Sequence, residues 1–332
     1  MCGVAETVTR IRAGQHCMSE SNITVRNGIN GAIDALNGSL LQGKEKPLRL
    51  AMVALLTGGH LLIEDLPGLG KTTLALALAG STGLTLGRVQ CTSDLLPSDI
   101  TGLSVFRRDE GRFDFLAGPV FNNIVLVDEI NRAMPRTQSA LLEAMEERRV
   151  TVEGTTHLLP DPFLVIATQN PAEQTGTYPL PESQLDRFLL CTGIGYPAAE
   201  LEKTIIIGGG VRERLDGLPR LLSAADILAA RRCVAEVMLS EKVVAYLHSC
   251  VVATRNHEAI LTGLSTRAAI GLAAAARAVA FLDGRDYVAP EDVREMVEPT
   301  GVHRLLLRPR HDTLDRRELL RSIIAPIPLP LV

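Results

Sequence analysis

Two pairs of residues carry the chemistry this chain could do: Lys71 with Thr72, and Asp128 with Glu129. Lys71 and Thr72 close the stretch His60-Leu-Leu-Ile-Glu-Asp-Leu-Pro-Gly-Leu-Gly-Lys-Thr-Thr73. It reads as an apolar strand, a glycine-bearing turn and the start of a helix rich in Leu and Ala. That order is the phosphate-cradling loop G-x-x-x-x-G-K-[ST], with Asp65 standing where the pattern has its first Gly. Asp128 and Glu129 follow Ile124-Val-Leu-Val127, an apolar run of the kind that forms a strand buried on both faces. In an open parallel sheet, the C-terminal ends of such strands are where ligands bind.

Gly68 and Gly70 let the backbone curl so that successive N–H groups face phosphate oxygens. A helix opening near Lys71 adds its own free N–H groups and the positive end of its dipole. Lys71 is placed to reach the β- and γ-phosphates, and the Thr72 hydroxyl to ligate Mg²⁺. The nucleotide-binding set is therefore Asp65, Pro67, Gly68, Leu69, Gly70, Lys71, Thr72 and Thr73. Asp128 joins Thr72 as a Mg²⁺ ligand, directly or through water, while Glu129 orients and deprotonates the attacking water. Asn170, at the tip of the next apolar run, is placed to hold that water or the γ-phosphate; taken alone it is an ordinary turn residue. ATP and Mg²⁺ are the expected cofactors. The competing accounts are a strand–turn–helix connection with a chance Gly-Lys-Thr and a strand end with solvated acids. The two segments occurring in this order weigh against both.

The elements that must hold these residues alternate between apolar strands and helices up to about residue 196. A helix over 40–56, stopped by Gly58-Gly59, precedes a strand at 61–64 and a helix from Lys71 to about Ala79. Strands follow at 88–92, 124–127, 163–167 and 189–191, with helices at 135–147 and, shorter, at 179–188. Two short alternating pairs, near 104–115 and 150–158, read as hairpins. Past Tyr196-Pro197 strand-like runs cease. Helices are expected near 198–207, 224–238, 241–254, 266–281 and 290–297, with Ser223, Ser240 and Ser265 as N-caps and Pro290 in a first turn. The fold class is thus α/β: a parallel-sheet nucleotide domain over 38–196, then a small all-helical domain over 197–332. Residues 1–37, weakly patterned and rich in Gly, Asn and Ser, read as a flexible lead-in.

Composition narrows the function. At 332 residues, 46% hydrophobic and 22% charged, the chain is globular and long enough for two domains. A net charge of −4 and 3% aromatics with no Trp argue against nucleic acid as the main partner. The six cysteines form no C-x-x-C pair, and the histidines show no ligand spacing. Reduced thiols, no apolar run of membrane-span length and no basic-then-apolar N-terminus point to the cytoplasm.

These residues resemble a MoxR-type AAA+ ATPase over roughly residues 38–325. The resemblance rests on the loop at 58–72, Ser-Asp-Leu-Leu-Pro-Ser-Asp-Ile-Thr-Gly (93–102), Val-Asp-Glu-Ile-Asn-Arg-Ala (127–133) and Gln-Ser-Ala-Leu-Leu-Glu-Ala-Met-Glu-Glu (138–147). Ala-Thr-Gln-Asn-Pro (167–171) and Tyr-Pro-Leu-Pro-Glu-Ser-Gln-Leu-Asp-Arg-Phe (178–188) complete it. Asp65 in the loop is usual for such sequences. The resemblance implies that Arg187 is the arginine finger for a neighbouring subunit and that Arg267 is sensor 2, reaching the nucleotide from the helical lid. From its surroundings alone, Arg187 is equally a surface ion-pair residue, and Arg132 could also act across an interface. The hairpins match insertions that face a ring pore or a client; packing only between subunits is the other account. The implied activity is hydrolysis of ATP to ADP and phosphate in a homo-oligomer, a hexamer, acting as a chaperone that remodels, matures or activates partner proteins. The implied clients carry a von Willebrand factor A (VWA) domain. Two other readings share the architecture: a nucleic-acid motor of the MCM branch and a chelatase-like motor subunit for metal insertion.

Overall fold

The structure, a computed structural model, describes residues 20–39, 41–65, 68–170, 176–197, 202–203, 206–207 and 218–330. Pro67 and most of the helix expected near 198–207 lie outside these residues. The central sheet is built from β1 (Leu61–Glu64), β2 (Leu86–Gln90), β5 (Ile124–Asp128), β8 (Leu164–Gln169) and β9 (Leu190–Thr192). All neighbours are parallel, in the spatial order β2-β5-β8-β1-β9. The chain leaves β1 for the far edge, returns through β5 and β8, and places β9 on the other side of β1. That reversal of strand order opens a crevice at the C-terminal ends, where open α/β sheets bind ligands.

Alternating side chains of these strands fill two cores. Leu61, Ile63, Ile124, Leu126, Leu164 and Ile166 face one cluster; Leu62, Val125, Val127, Val165 and Ala167 face the other. This is the period-two signature of a sheet covered on both faces. The first cluster also takes in helices α1 (Glu20–Ser39), α2 (Glu45–Thr57) and α3 (Lys71–Thr82). The second is closed by α5 (Pro135–Glu147) and the turn of helix α4 (Pro97–Thr101). Gly58 ends α2 in the left-handed conformation, its N–H donating back to the last turn. At Gly59 a Cβ would lie 2.5 Å from Leu189, so only glycine lets β9 approach.

Both expected hairpins form. One pairs β3 (Gly102–Arg107) with β4 (Arg112–Ala117); the other pairs β6 (Arg149–Val152) with β7 (Thr155–Leu158). The second turns on Glu153 and Gly154, both at positive φ, as a two-residue hairpin loop requires. A Phe115–His157 stack at 3.9 Å joins the two hairpins.

After α6 (Glu182–Leu185) and β9 come the lid helices α7 (Ala224–Glu236), α8 (Glu241–Asn256), α9 (Thr266–Leu282), α10 (Pro290–Gly301) and α11 (Arg316–Ile324). Ser223, Ser240 and Ser265 cap α7, α8 and α9 as expected.

Two features differ from the sequence reading. Residues 20–37, assigned to the flexible lead-in, belong to α1. Its Asn and Gly residues are poor helix formers, but Ile29 and Leu36 are fully buried. Each such side chain contributes about 1.5–3 kcal/mol, which outweighs the propensity deficit. The lid also carries a short antiparallel pair, β10 (Ile260–Thr262) with β11 (Leu306–Leu307). Strands of two and three residues leave no readable alternation.

Candidate active site

At the C-terminal edge of β1, β5 and β8 lies an open cleft of about 360 Å³. It is lined by Gly68, Gly70, Lys71, Thr72 and Thr73 on one side and Arg88, Gln90, Asp128, Glu129, Thr168 and Asn170 on the other. Parallel register makes this convergence: Gln90 pairs with Asp128 and Val127 with Ala167, so the strands end nearly flush.

Gly68 and Gly70 hold φ of 83° and 98°, and a Cβ on either would meet nothing within 4 Å. Their glycines are thus required by the left-handed backbone, and the space beside them is open to a ligand. Gly70 is the N-cap of α3 and supplies no side-chain cap, leaving the first-turn N–H groups available for an anion. Lys71 donates through Nζ to the Asp65 carbonyl. Burial lowers the Lys71 pKa, opposed by the negative charges of Asp65, Asp128 and Glu129. Asp65 itself folds away from the cleft. Its carboxylate accepts from the N–H groups of Ile194 (2.7 Å) and Gly195 (2.6 Å), just past β9. Lys44, nearly buried, holds the carbonyls of the same two residues. The residue that departs from the loop pattern therefore fastens the loop to the segment leaving the sheet.

Asp128 is 8% exposed. Arg88 reaches it from the neighbouring strand, with Nε at 3.0 Å and Nη2 at 2.9 Å from Oδ2. Glu129 lies at φ 57°, a left-handed conformation rare for a residue with a Cβ. Its N–H donates to the Thr168 hydroxyl at 2.9 Å. Its carboxylate meets Arg132 at 3.0 Å and accepts from the Gln90 amide at 3.3 Å. Buried Gln138 donates to the carbonyls of Ile130 and Tyr178, pinning the turn after the acid pair.

Oxygen donors on Thr72 and Asp128 beside an uncapped helix N-terminus fit a hard cation bound jointly with phosphate. No group of three or more His, Cys, Asp or Glu residues that could hold a metal by itself occurs among the described residues. Cys91, beneath Asp128, is an inert thiol: burial, then the charges of Asp128 and Glu129, push it up to about 12.

Neither Arg187 nor Arg267 lines this cleft. Both lie at the end of α5, where they share Glu146: Arg187 Nε is 3.1 Å from Oε2 and Arg267 Nη1 is 3.1 Å from Oε1. Arg187 also borders a second, larger cleft of about 730 Å³ between α5, the β6–β7 hairpin and α6. Arg267, expected to project from the helical lid onto the nucleotide, thus stands beside Arg187 on this second surface. Ser265, the cap of α9, donates to the Asp186 carboxylate at 3.3 Å. That contact ties the start of α9 to the residue that follows α6.

Residues 60–190 match the model of the ATPase family associated with various cellular activities (AAA), and residues 252–323 match the AAA lid domain. The chain is 40% identical over 304 residues to Chaperone MoxR1 of Mycobacterium tuberculosis, covering 88% of this chain and 80% of that one. It belongs to the MoxR family of AAA+ ATPases. It is also 42% identical to the uncharacterized protein YeaC of Bacillus subtilis over 302 residues, 90% of this chain and 94% of that one. A crystal structure of a candidate ATPase from Cytophaga hutchinsonii superposes with a TM-score of 0.84 at 37% identity, covering 94% of this chain and 98% of that one. The match extends through sheet and lid together.

Sequence reasoning missed several residues here: Arg88, Gln90 and Thr168 in the cleft, and Glu146 at the end of α5. Arg88 and Gln90 alternate with Val89 on β2, a pattern that signals a strand with two polar residues on one face. Glu146 gave no signal, because its partners are distant in sequence.

Proposed function

We propose that this MoxR-family ATPase hydrolyses ATP with Mg²⁺ at sites shared between copies of the chain in a ring, a hexamer by family resemblance. The observation that carries the proposal is the separation of two charged surfaces. Lys71 and both acids sit in one cleft, whereas Arg187 and Arg267 sit together elsewhere. That separation supports a reading in which these guanidiniums serve a nucleotide held by another copy.

Bound Mg²⁺–ATP supplies the phosphoryl group and the charge that spreads over its γ-oxygens in the transition state. The uncapped N-terminus of α3 and the Lys71 ammonium hold the phosphates, while Thr72 and Asp128 offer oxygen ligands to the cation. Glu129 takes the proton of the attacking water, with Asn170 fixing that water from the neighbouring strand end. Arg187 and Arg267 of an adjacent copy neutralise the developing charge.

Turnover in such a ring would remodel or activate a client in the cytoplasm. The relative named as a chaperone supports this reading, and the client class implied by family resemblance is a protein with a VWA domain. The hairpins offer a surface for contact: Phe106, Phe113, Leu116 and Leu158 are all exposed. Such apolar residues gathered on projecting elements suit protein contacts.

The decisive experiment is ATPase activity against protein concentration for wild type, Arg187→Ala, Glu129→Gln and an equal mixture of the two variants. Turnover that rises with concentration, is lost in each variant and returns in the mixture is expected. Turnover independent of both concentration and Arg187 would sink the shared site. ATP-dependent co-elution of Glu129→Gln with a purified VWA-domain protein tests the client, and failure to co-elute removes that class.

A further inference from the structure

Arg187 and Arg267 belong to different parts of the chain, one on the nucleotide domain and one on the lid. Three residues bring their backbones together. Ser265, two residues before Arg267, donates to the carboxylate of Asp186, the residue before Arg187. Arg304, 5% exposed at its side chain, places Nε 3.0 Å from Asp186 Oδ1. Its Nη2 also donates to the carbonyls of Asp186 (3.1 Å) and Phe188 (2.8 Å). This fixes two stretches of main chain but leaves two long, flexible side chains of like charge side by side. Among the described residues, Glu146 ion-pairs with both guanidiniums, giving each one oxygen at 3.1 Å.

We propose that Glu146 is a positioning residue that holds Arg187 and Arg267 as one cationic pair, set for the triphosphate of a neighbouring copy. The proposal rests on the shared-site reading above. Ion pairs this exposed add little stability, with side chains 28%, 47% and 38% accessible for Arg187, Arg267 and Glu146. What one carboxylate between two guanidiniums adds is geometry. It offsets their repulsion and restricts their rotamers while both side chains stay partly accessible. The cluster keeps one net positive charge, so it still attracts phosphate, and its donors are in place before the reaction.

Glu146→Gln tests this because it keeps shape and an acceptor while deleting the charge. Expected is a fall in kcat of about tenfold, the scale of a small misplacement of catalytic groups, with equilibrium binding of a fluorescent ATP analogue unchanged. Mixing with Glu129→Gln should restore turnover, because the two defects lie on opposite sides of the interface. Mixing with Arg187→Ala should not. Adding Glu146→Gln to Arg187→Ala should cost less than it costs in wild type, since half of the pair is already gone. Glu146→Asp, which keeps the charge, should recover part of the loss, and it carries the test if the thermal transition of Glu146→Gln collapses. Wild-type turnover in Glu146→Gln, or rescue by Arg187→Ala, would overturn the proposal. The mixture of Arg187→Ala with Glu129→Gln is the control. If that mixture stays inactive, the shared site itself fails; if it recovers while Glu146→Gln behaves as wild type, only the role of Glu146 fails.

Discussion

In the phosphate cleft both acids meet a cation of their own chain, whereas on the α5–α6 face two cations share a single carboxylate. Asp128 pairs with Arg88 and Glu129 with Arg132; Arg187 and Arg267 divide Glu146. The supports differ as well. The cleft is set by strand register within one sheet, so its acids stay aligned wherever the lid stands. The arginine face depends on Ser265 and Arg304 of the lid grasping Asp186, so it moves if the lid moves. In the proposed shared site, the cleft would be the fixed half and the arginine face the half able to shift with the lid.

The largest effects should come from breaking one half and sparing the other. Arg187→Ala is expected to lower kcat by about 10³-fold or more, and Glu129→Gln by about 10²–10⁴-fold, with ATP binding retained in both. Equilibrium titration with a fluorescent ATP analogue checks the retention. Loss of binding in Arg187→Ala would place that arginine in the structure of its own subunit and erase the contrast.

Asp65 links the fixed half to the segment that leaves the sheet toward the lid. Asp65→Gly, which restores the general loop pattern, deletes two hydrogen bonds to Ile194 and Gly195. A loss of about 2–3 kcal/mol in stability is expected, the scale for hydrogen bonds to a charged group. Denaturant unfolding reads it; an unchanged midpoint would show that Lys44 alone holds that segment.

A pH test bears on the supports of the arginine face. His60 accepts from the Val165 N–H and so donates through Nε2 to the carbonyl of Met145, the neighbour of Glu146. His303 donates to the carbonyl of Phe188, the neighbour of Arg187. Burial lowers both pKa values to about 3, helped by the charge of Arg148 for His60 and of Arg304 for His303. The unfolded chain therefore binds protons first. The stability from each neutral histidine is complete above pH 6.5 and declines as pH falls toward 3. Each contributes a slope of up to about 1.4 kcal/mol per pH unit in that window. Unfolding of His303→Asn between pH 6.5 and 4.5 should show a slope shallower than wild type by about that amount; identical slopes would mean that His303 titrates in the folded state.

The smallest effect sharpens the cleft. Arg88 holds the oxygen of Asp128 that a cation would seek. Arg88→Gln should lower the Mg²⁺ concentration needed for tight nucleotide binding by about two- to fivefold, the scale of a half-exposed ion pair. A higher requirement would make Arg88 a support for Asp128 instead of a competitor.

Legibility followed distance along the chain. The loop from Gly68 to Thr73, the acids after β5 and both hairpins could be read because each is a local pattern: a glycine spacing, an apolar run, an alternation about a turn. The strand at 61–64 and the helix at 135–147 carry the boundaries expected of them. Helix α1 could not be read, because its Asn and Gly residues oppose a helix that only the burial of Ile29 and Leu36 stabilises. The short β10–β11 pair was invisible for want of length. Motif matching singled out Arg187 and Arg267, but nothing in their spacing placed them side by side. The sequence by itself determined the phosphate loop and the acid pair, since turn and strand-end chemistry depend on residues a few positions apart. Tertiary structure decided that Arg88 meets Asp128, that Asp65 serves the segment after β9, and that Glu146 gathers two arginines. Those contacts join residues 40 to 130 positions apart; strand pairing and packing within the nucleotide domain bring most of them within reach, and packing of the lid against that domain brings Arg267.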